Sequence, residues 1–344
     1  MNIGILTGGG DCPGLNAAIR SVYYRAKEYG YKTIGIFHGW KGMLNEGRSE
    51  KITEEKVENI FDLGGTFLGS SRTNPYKTPE GPKEVLKKFK EYKLDALIAI
   101  GGEDTLGVAG KLYNDFKLPV VGIPKTIDHD VMGTEYTIGF DSALNTGAEA
   151  IDRLHTTAKS HEQSFIVEVM GRHAGWLTLR AGIAGGAHII LIPEKPYDIR
   201  KVFETINKRK KEGKHTLLAV SEGVEPPKQL QEKKDDFGHV ILTNRGLAYA
   251  FKEVIDKECK TEVRVMVLGH MLRGGKPTAY DRVMASRVGS IAVDFLKEKK
   301  FGMLTAVQGG EITPFPLTEV IGKYKTVSDQ EYRLLQSLFE GDVL

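Results

Sequence analysis

The stretch IGILTGGGDCPGLNAAIR, residues 3–20, contains three patterns that together indicate an α/β fold. Residues 3–6 form a short apolar run, glycines follow at 8–10, and an amphipathic segment begins near residue 15. In that segment Ala18, Val22 and Ala26 repeat every four residues, which is the spacing of one helix face. The stretch therefore predicts a buried strand, a glycine turn and a helix.

The same alternation of short apolar runs and longer amphipathic segments continues along the chain. Further strands are predicted at 33–37, 94–100, 120–123, 165–169, 188–192, 216–220, 263–268 and 304–307. Helices are predicted near 15–29, 79–92, 104–115, 141–160, 198–212, 244–258 and 279–298. Apolar runs of this length are typical of parallel strands that are covered by helices on both faces. We therefore predict an α/β protein with mostly parallel sheets.

Composition narrows the class of protein further. The chain has 344 residues, which suggests two domains, and its 40% hydrophobic and 27% charged residues suit a globular protein. The net charge of +3 is small and dispersed, so we expect no nucleic-acid partner. Two distant cysteines give no disulfide framework, and no long apolar run predicts a membrane span. We expect a cytoplasmic enzyme that does not bind membranes.

Glycines follow several of the predicted strands, where ligands bind in open parallel sheets. In TGGGDCPG, residues 7–14, backbone N–H groups and a helix N-terminus can hold an anion. The loop is not G-x-G-x-x-G, since residue 13 is proline, and the chain has no G-x-x-x-x-G-K-[ST] segment. A tight turn without a ligand remains the alternative for this loop.

A second glycine segment, GGEDT at 101–105, again joins a predicted strand to a helix. Glu103 could hold Mg²⁺, because this ion commonly binds one or two carboxylates together with substrate phosphates. Asp104 and Thr105 could equally be N-cap residues that accept hydrogen bonds from the first turn of the helix.

The segment PKTIDHD, residues 124–130, combines two acids with a lysine. In an extended segment Asp128 and Asp130 would point the same way, about 6–7 Å apart. One carboxylate could accept a proton from an attacking hydroxyl while the other orders a metal ion or a phosphate. Lys125 adds a positive charge for phosphate. A charged surface loop is the alternative interpretation.

Three later motifs, MGRHAGW, SEG and GHMLRGG, carry polar side chains beside glycines. They place Arg172, Glu222, Arg264, His270 and Arg273 at strand ends in the predicted layout. Arginine can bind phosphate through two parallel hydrogen bonds. Any one of these residues alone could be an ordinary surface residue, but their repetition beside glycines favours a binding site.

Taken together, these segments resemble the phosphofructokinase family, most closely its pyrophosphate-dependent 6-phosphofructokinases within the bacterial ATP-type branch. The resemblance runs from Ile3 to about Arg287 and rests on GGDCPGLNAAIR, GGTFLGSSRTNP, GGEDT, PKTIDHD, TIGFDSA, VEVMGRHAGW, SEG and LGHMLRGG. It implies two Rossmann-like three-layer lobes with the active site in the cleft between them. Residues 1–139 with about 272–322 would form the phosphoryl-donor lobe, and 140–271 with about 323–344 the sugar-phosphate lobe.

The resemblance also implies the reaction and the residues that perform it. The acceptor would be D-fructose 6-phosphate, phosphorylated at its 1-hydroxyl to D-fructose 1,6-bisphosphate with Mg²⁺ as cofactor, in glycolysis or gluconeogenesis. Asp128 would be the general base, with Lys125, Asp104 and Arg72 also catalytic. The donor would be bound by Gly9, Gly10, Arg72, Gly102, Asp104, Thr105 and Lys125, and the metal ion by Glu103. The sugar would be bound by Thr126, Asp128, Asp130, Met170, Gly171, Arg172 and Glu222, and its 6-phosphate by Arg264, His270 and Arg273.

Two positions bear on assembly and on the acceptor. In this family the sugar site is shared between subunits, so Arg264 would come from a neighbouring copy, which implies a dimer or tetramer. Gln163 stands where relatives usually have an arginine that reaches a neighbour's sugar phosphate. The acceptor range could therefore be broader, with sedoheptulose 7-phosphate as a second acceptor. His129 replaces the asparagine that is usual between the two aspartates.

Asp104 and Lys125 favour pyrophosphate over ATP as the donor. Family members that use ATP commonly have glycine at the position of Asp104, whereas pyrophosphate users have aspartate there together with lysine at the position of Lys125. Asp104 near a helix N-terminus can occupy the position that the α-phosphate of ATP needs, and it would repel that phosphate. The reaction would then run in both directions. An ATP-dependent 6-phosphofructokinase is the alternative.

Two hypotheses that assign the chain to another functional class are less consistent with the sequence. A catalytically silent sugar-phosphate-binding subunit would be expected to lack the base or the metal ligand, yet Asp128, Asp130, Glu103 and Arg72 are all present. A nicotinamide-dependent oxidoreductase would suit the fold class, but the chain lacks the glycine fingerprint of dinucleotide binding.

Overall fold

A computed structural model describes residues 1–227 and 246–339. They form two compact units. The first unit comprises Met1–Ala143 and Arg273–Lys325. The second comprises Leu144–Leu272 and the described residues from Thr326 onward. Both units are α/β structures.

The strands of the described chain are β1 Asn2–Thr7, β2 Lys32–Ile36, β3 Ser49–Lys51, β4 Ala96–Gly101, β5 Val120–Pro124, β6 Ser164–Val169, β7 Ile189–Leu191, β8 Leu217–Ser221, β9 Val263–Val267, β10 Met303–Gln308 and β11 Glu311–Pro316. The α-helices are α1 Leu15–Glu28, α2 Glu54–Val57, α3 Gly81–Glu91, α4 Glu103–Phe116, α5 Phe140–His161, α6 Trp176–Ala184, α7 Ile199–Lys211, α8 Leu247–Cys259, α9 Ala279–Lys297 and α10 Asp329–Gln336. Among the described helices, none has the length and apolar character that crossing a membrane requires.

The first unit contains a seven-stranded sheet in the order β11-β10-β5-β4-β1-β2-β3. Its five central strands pair in parallel, and β3 and β11 add antiparallel edges. Strands β4 and β5 are buried along their whole length. The predicted period of the first helix is also correct, since Ala18, Val22 and Ala26 are all buried on α1.

The second unit contains a smaller sheet in the order β7-β8-β6-β9, in which every pair of neighbours is parallel. Its core joins aliphatic side chains of the strands to α7 and α8, as Leu218, Val202 and Phe251 illustrate. Strand β9 is an edge strand, and most of its side chains are at least partly exposed to solvent.

The predicted fold class, α/β with mostly parallel sheets, is confirmed, and each predicted strand occurs within two residues of its predicted bounds. The sequence did not predict β3, β11, α2, α6 or α10. Helix α6 lacks an amphipathic pattern because nearly all of its side chains are apolar and six of its nine residues are buried. The predicted start of α8 at 244 lies outside the described residues.

A buried carboxylate fixes the chain that follows β5 in the first unit. Asp281 on α9 is fully buried and accepts hydrogen bonds from the Tyr136 hydroxyl at 2.7 Å and from the Gly139 N–H at 3.1 Å. It also accepts from the backbone N–H and the hydroxyl of Ser142, at 2.9 and 2.5 Å. Burial raises the pKa of Asp281, and the bonds from Ser142 and Tyr136 oppose that rise. Asp281 thereby holds the start of α5 against α9.

Candidate active site

In the first unit, the carboxyl ends of three neighbouring parallel strands bring the first three glycine and charge motifs to one edge of the sheet. In the paired register, Thr7 on β1 lies beside Ile100 on β4, and Gly101 lies beside Pro124 on β5. Beyond the strands, the Gly8 N–H donates to the Ile100 carbonyl and the Lys125 N–H to the Gly101 carbonyl, both at 2.9 Å. The segments 8–14, 101–105 and 125–130 are therefore adjacent.

The glycine loop after β1 is held by the segment that carries Arg72. Gly9 has a φ of 80°, which favours glycine, and its N–H donates to the Ser71 carbonyl at 2.9 Å. The Ser70 hydroxyl in turn donates to the Gly9 carbonyl at 2.6 Å. An open cavity of about 600 Å³ borders this loop and is lined by Gly9, Gly10, Asp11, Asn16, Ile60, Leu63, Gly64, Gly65, Thr66, Phe67, Gly69 and Ser70. Arg72 is exposed beside these residues.

Thr105 on the first turn of α4 explains two of the glycines. A Cβ atom on Gly8 would lie 2.5 Å from the Thr105 Oγ1, and one on Gly101 would lie 2.4 Å from the Thr105 Cβ. Neither glycine could therefore carry a side chain without moving the start of α4. Thr105 is buried in this contact.

The prediction that Asp104 or Thr105 acts as an N-cap is wrong. The N-cap of α4 is Gly102, which has no side chain to bond the first turn. Asp104 instead lies within the first turn and is exposed, while Glu103 is the first residue of the helix. The carboxylate of Asp104 is thus near the N-terminal end of α4, where a helix attracts negative charge.

Lys125 is the charged centre of this region. Its side chain is only 2% exposed, and its Nζ donates to the Gly10 carbonyl at 2.5 Å. Burial lowers the pKa of Lys125, and Arg273 lowers it further, whereas Cys12, Asp11 and Asp128 act in the opposite direction. An anion bound beside this ammonium group would stabilise its charged form.

The segment with Asp128 and Asp130 is not extended, so the extended conformation on which the predicted carboxylate spacing depends is wrong. The chain bends at 127–128, and His129 adopts a left-handed conformation with a φ of 58°. The buried His129 ring stacks on Phe140 with ring centres 4.2 Å apart. Asp128 is half-buried and its N–H donates to the Thr126 hydroxyl at 3.1 Å, whereas Asp130 is buried.

Acidic groups gather around Tyr324, a residue that sequence reasoning missed. Glu103 accepts a hydrogen bond from the Gly322 N–H at 2.7 Å and one from the Tyr324 hydroxyl at 3.4 Å. Burial, with Glu103, Asp104 and Asp130, raises the pKa of Tyr324 to about 12. Burial also raises the pKa of Asp130, and the negative charge of Glu103 adds to that rise. Carboxylate oxygens are the ligands that Mg²⁺ prefers, so the chemistry of the Glu103, Asp104 and Asp130 side chains suits that ion.

In the second unit, two predicted sugar-binding motifs meet at the carboxyl ends of β6 and β8. The Glu222 N–H donates to the Val169 carbonyl at 2.9 Å, and the Ser221 hydroxyl donates to the Gly171 carbonyl at 2.6 Å. A Cβ atom on Gly223 would lie 2.1 Å from the Arg172 carbonyl oxygen, so this close approach requires glycine. Met170 is buried next to these segments, while the Arg172 side chain is exposed.

The remaining predicted residues are not in one group. Arg264 is the second residue of β9, and its Nε donates to the Oε1 of Gln163 at 3.5 Å. This pair lies at the amino-terminal edge of the second sheet, so the prediction that Arg264 lies at the end of its strand is wrong. His270 is exposed beyond the other end of β9. Arg273 belongs to the first unit, where its Nη1 donates to the Asp11 carbonyl at 3.3 Å.

Comparisons with known proteins agree on one family and include relatives named for two different phosphoryl donors. A family model described as "Phosphofructokinase" matches residues 2–296. A pyrophosphate--fructose 6-phosphate 1-phosphotransferase of Dictyoglomus thermophilum is 46% identical, over 98% of this chain and 99% of that protein. One of the same name from Amycolatopsis methanolica is 47% identical over 98% of this chain and all of that protein. An ATP-dependent 6-phosphofructokinase of Mycobacterium bovis is 43% identical over 96% of this chain and 98% of that protein.

Solved structures show the same fold. The Pichia pastoris phosphofructokinase matches 98% of this chain with a TM-score of 0.81 at 30% identity, and this chain spans only 36% of that chain. A pyrophosphate-dependent phosphofructokinase from Marinobacter aquaeolei matches 99% of this chain and 92% of its own, with a TM-score of 0.81 at 23% identity.

The packing around Thr105 gives a prediction about stability. Gly8→Ala should lower the free energy of unfolding by about 1–3 kcal/mol, because its methyl group would overlap the Thr105 side chain. Gly10→Ala is the matched control, since the three atoms nearest to its methyl group would all belong to the movable guanidinium of Arg273. Chemical denaturation monitored by circular dichroism measures both, and Thr105→Ala should partly rescue Gly8→Ala. Equal stability of the two glycine variants would contradict this packing.

Proposed function

The chain belongs to the phosphofructokinase family, and on this premise we propose that it transfers a phosphoryl group from pyrophosphate to the 1-hydroxyl of fructose 6-phosphate. The observation that carries the proposal is that Asp104 and Lys125 occur together in the first unit. Asp104 lies in the first turn of the helix after β4, and Lys125 directly follows the neighbouring strand β5. Several relatives that are 45–47% identical over at least 96% of this chain are named pyrophosphate--fructose 6-phosphate 1-phosphotransferases, which supports the same donor.

The choice of donor follows from the charges near the start of α4. The exposed carboxylate of Asp104 lies in the first turn, whose N–H groups would otherwise attract a further phosphate. A nucleotide triphosphate would bring a third phosphate into this region, whereas pyrophosphate has only two. The buried Lys125 then supplies the positive charge that a diphosphate needs. An ATP donor is the alternative, since relatives of 43–44% identity carry that name.

Asp128 would act as the general base of the reaction. Its carboxylate would accept the proton of the sugar 1-hydroxyl as that oxygen bonds to the transferred phosphorus, while the bond to the departing orthophosphate breaks. Lys125 and Arg72 would bind the negative charge of the phosphoryl oxygens. When bound, Mg²⁺ would neutralise part of the diphosphate charge, and Glu103 is the residue proposed to hold it.

The remaining donor contacts would come from the glycine segments. The backbone N–H groups of Gly10 and Gly102, at the ends of neighbouring parallel strands, are suited to phosphate oxygens. Gly9 would shape the loop, because its own N–H already donates to Ser71. Thr105 would act chiefly by fixing the start of α4.

The sugar would be bound mainly by residues that follow β6 and β8. Arg172 and Glu222 carry the charged groups there, and Met170 and Gly171 shape the loop that meets the Glu222 segment. Thr126 and Asp130 would complete the contacts to the sugar hydroxyls. His270 and Arg273 would bind the 6-phosphate.

Arg264 and Gln163 would act on the sugar site of a neighbouring copy, because they lie at the opposite edge of the second sheet from Arg172 and Glu222. Exposed apolar side chains along β9 and beyond its carboxyl end support an interface on this strand, since Met266, Val267 and Met271 are 40%, 41% and 67% exposed in the single chain. We infer a homo-oligomer, either a dimer or a tetramer, in the cytoplasm.

Initial rates with fructose 6-phosphate and Mg²⁺ test the donor. We expect turnover with pyrophosphate and not with ATP, and we expect Asp104→Gly to begin to use ATP, because the repelling carboxylate is gone. Asn114→Gly is the control, since it introduces the same glycine cost into the far end of α4. Turnover of the unaltered chain with ATP alone would overturn the assignment of pyrophosphate, and equal gain of ATP use in both variants would overturn the role of Asp104.

A second prediction concerns the base. Asp128→Asn should lower kcat by about 10²–10⁴-fold, which is the usual contribution of a general base, while leaving the circular dichroism spectrum unchanged. Asp152→Asn, an exposed position on α5, is the control and should keep the kcat of the unaltered chain. Single-turnover rates separate the chemical step from product release. A near-normal chemical step in Asp128→Asn would exclude Asp128 as the base.

A further inference from the structure

Three histidines form a cluster at the amino-terminal edge of the second sheet, to which the proposed reaction assigns no role. His155 lies on α5, His188 immediately precedes β7, and His215 lies two residues before β8. Their ring centres are 5.3–5.5 Å apart in all three pairs, with the rings nearly perpendicular. One ring nitrogen of each lies within 4.8 Å of the others, and all three side chains are only partly exposed.

The hydrogen bonds of His155 determine which of its nitrogens can bind a ligand. Its Nε2 lies 2.9 Å from the Gly185 carbonyl oxygen, which can only accept, so this nitrogen carries the proton. In the neutral ring, Nδ1 therefore has the lone pair, and it lies 3.1 Å from the Nε2 of His215. A ring N–H donated to a backbone carbonyl is the contact that metal-binding histidines usually make with their other nitrogen.

The spacing of the nitrogens is close to that of a metal site. Three imidazole nitrogens around a tetrahedral zinc ion lie about 3.3 Å apart, given zinc–nitrogen bonds of about 2.0 Å. The separation of 3.1 Å between His155 and His215 agrees with this value. The wider separation, up to 4.8 Å, requires a modest rotation of one ring toward the other two.

We propose that His155, His188 and His215 form a binding site for a zinc-type transition-metal ion, with the fourth position open to solvent. Imidazole nitrogen suits zinc and copper, whereas Mg²⁺ prefers oxygen ligands. The ion that the phosphoryl-transfer reaction uses would therefore not compete at this site.

The neighbours of the cluster determine which ions bind and which ligand is weakest. Two cations, Arg209 and Lys159, lie close enough to His215 to act on its charge, and the Arg209 Nε donates to the His215 carbonyl at 3.0 Å. These cations would repel a divalent ion, so the site should select ions with high imidazole affinity. The Leu217 N–H donates to the Nδ1 of His188 at 2.9 Å, so metal binding at His188 requires the loss of this hydrogen bond or of the proton on its Nε2. At His215, Nε2 needs only to release the proton that it shares with the Nδ1 of His155, so we expect His188 to be the weakest ligand.

Metal binding at this cluster would act on stability and not on the reaction. The ion would join α5 to the starts of β7 and β8, and through Gly185 to the end of α6. The proposed sugar-binding residues Arg172 and Glu222 follow the opposite ends of β6 and β8. A ligand that binds only the folded protein raises its unfolding temperature.

The test uses the full chain without a histidine tag, freed of metal by a chelator and kept in excess Mg²⁺. We expect titration calorimetry to show one equivalent of Zn²⁺ bound and thermal unfolding to shift upward. His155→Ala and His215→Ala should each weaken binding by about 10-fold or more, and His188→Ala by less. His161→Ala, an exposed histidine at the end of α5, is the matched control and should bind as tightly as the unaltered chain.

A spectroscopic measurement keeps the test valid if a variant fails to fold. With one equivalent of Cu²⁺, the electron paramagnetic resonance spectrum of the unaltered chain should show nitrogen couplings from at least two imidazoles. The proposal is overturned if the chain binds no stoichiometric Zn²⁺. It is also overturned if His155→Ala binds as His161→Ala does, or if bound Cu²⁺ shows no coupling to imidazole nitrogen.

Discussion

The buried ammonium group of Lys125 is the constraint around which the first unit is arranged. A lysine that is withdrawn from water needs polar partners, because an uncompensated buried charge costs several kcal/mol. The carbonyl of Gly10 is one partner, and the charges of Asp11 and Asp128 are others. These contacts require the loops after β1 and β5 to lie together, which the parallel pairing of β1, β4 and β5 allows. A bound diphosphate would add negative charge beside Lys125, which links the fold of this unit to its proposed ligand.

The second unit separates two kinds of chemistry at the two ends of one parallel sheet. The loops with Arg172 and Glu222 follow the carboxyl ends of their strands, where ligands of open sheets usually bind. At the amino-terminal edge lie the Gln163–Arg264 pair and, beside the starts of β7 and β8, the histidine cluster. Groups at that edge act on other partners, which we propose to be a neighbouring copy for Arg264 and a metal ion for the histidines.

Much of the fold could be predicted because buried parallel strands are short continuous apolar runs. Strand β11 lacked that signal because none of its side chains is buried, and α6 lacked a polar face. The motifs predicted which residues gather after β1, β4 and β5, but not their conformation. A left-handed His129 turns the chain between the two aspartates, and nothing in the local sequence indicates it. Tyr324 was missed because it joins the acidic residues from a distant part of the chain that carries no motif.

Whether the first unit acts on a diphosphate or on a nucleotide is measured most directly in the reverse direction. Phosphorus NMR would follow the chain with fructose 1,6-bisphosphate and Mg²⁺, supplied with either orthophosphate or ADP. We predict that a pyrophosphate resonance appears with orthophosphate and that no ATP forms from ADP. Formation of ATP from ADP, with no pyrophosphate from orthophosphate, would contradict the proposed roles of Asp104 and Lys125.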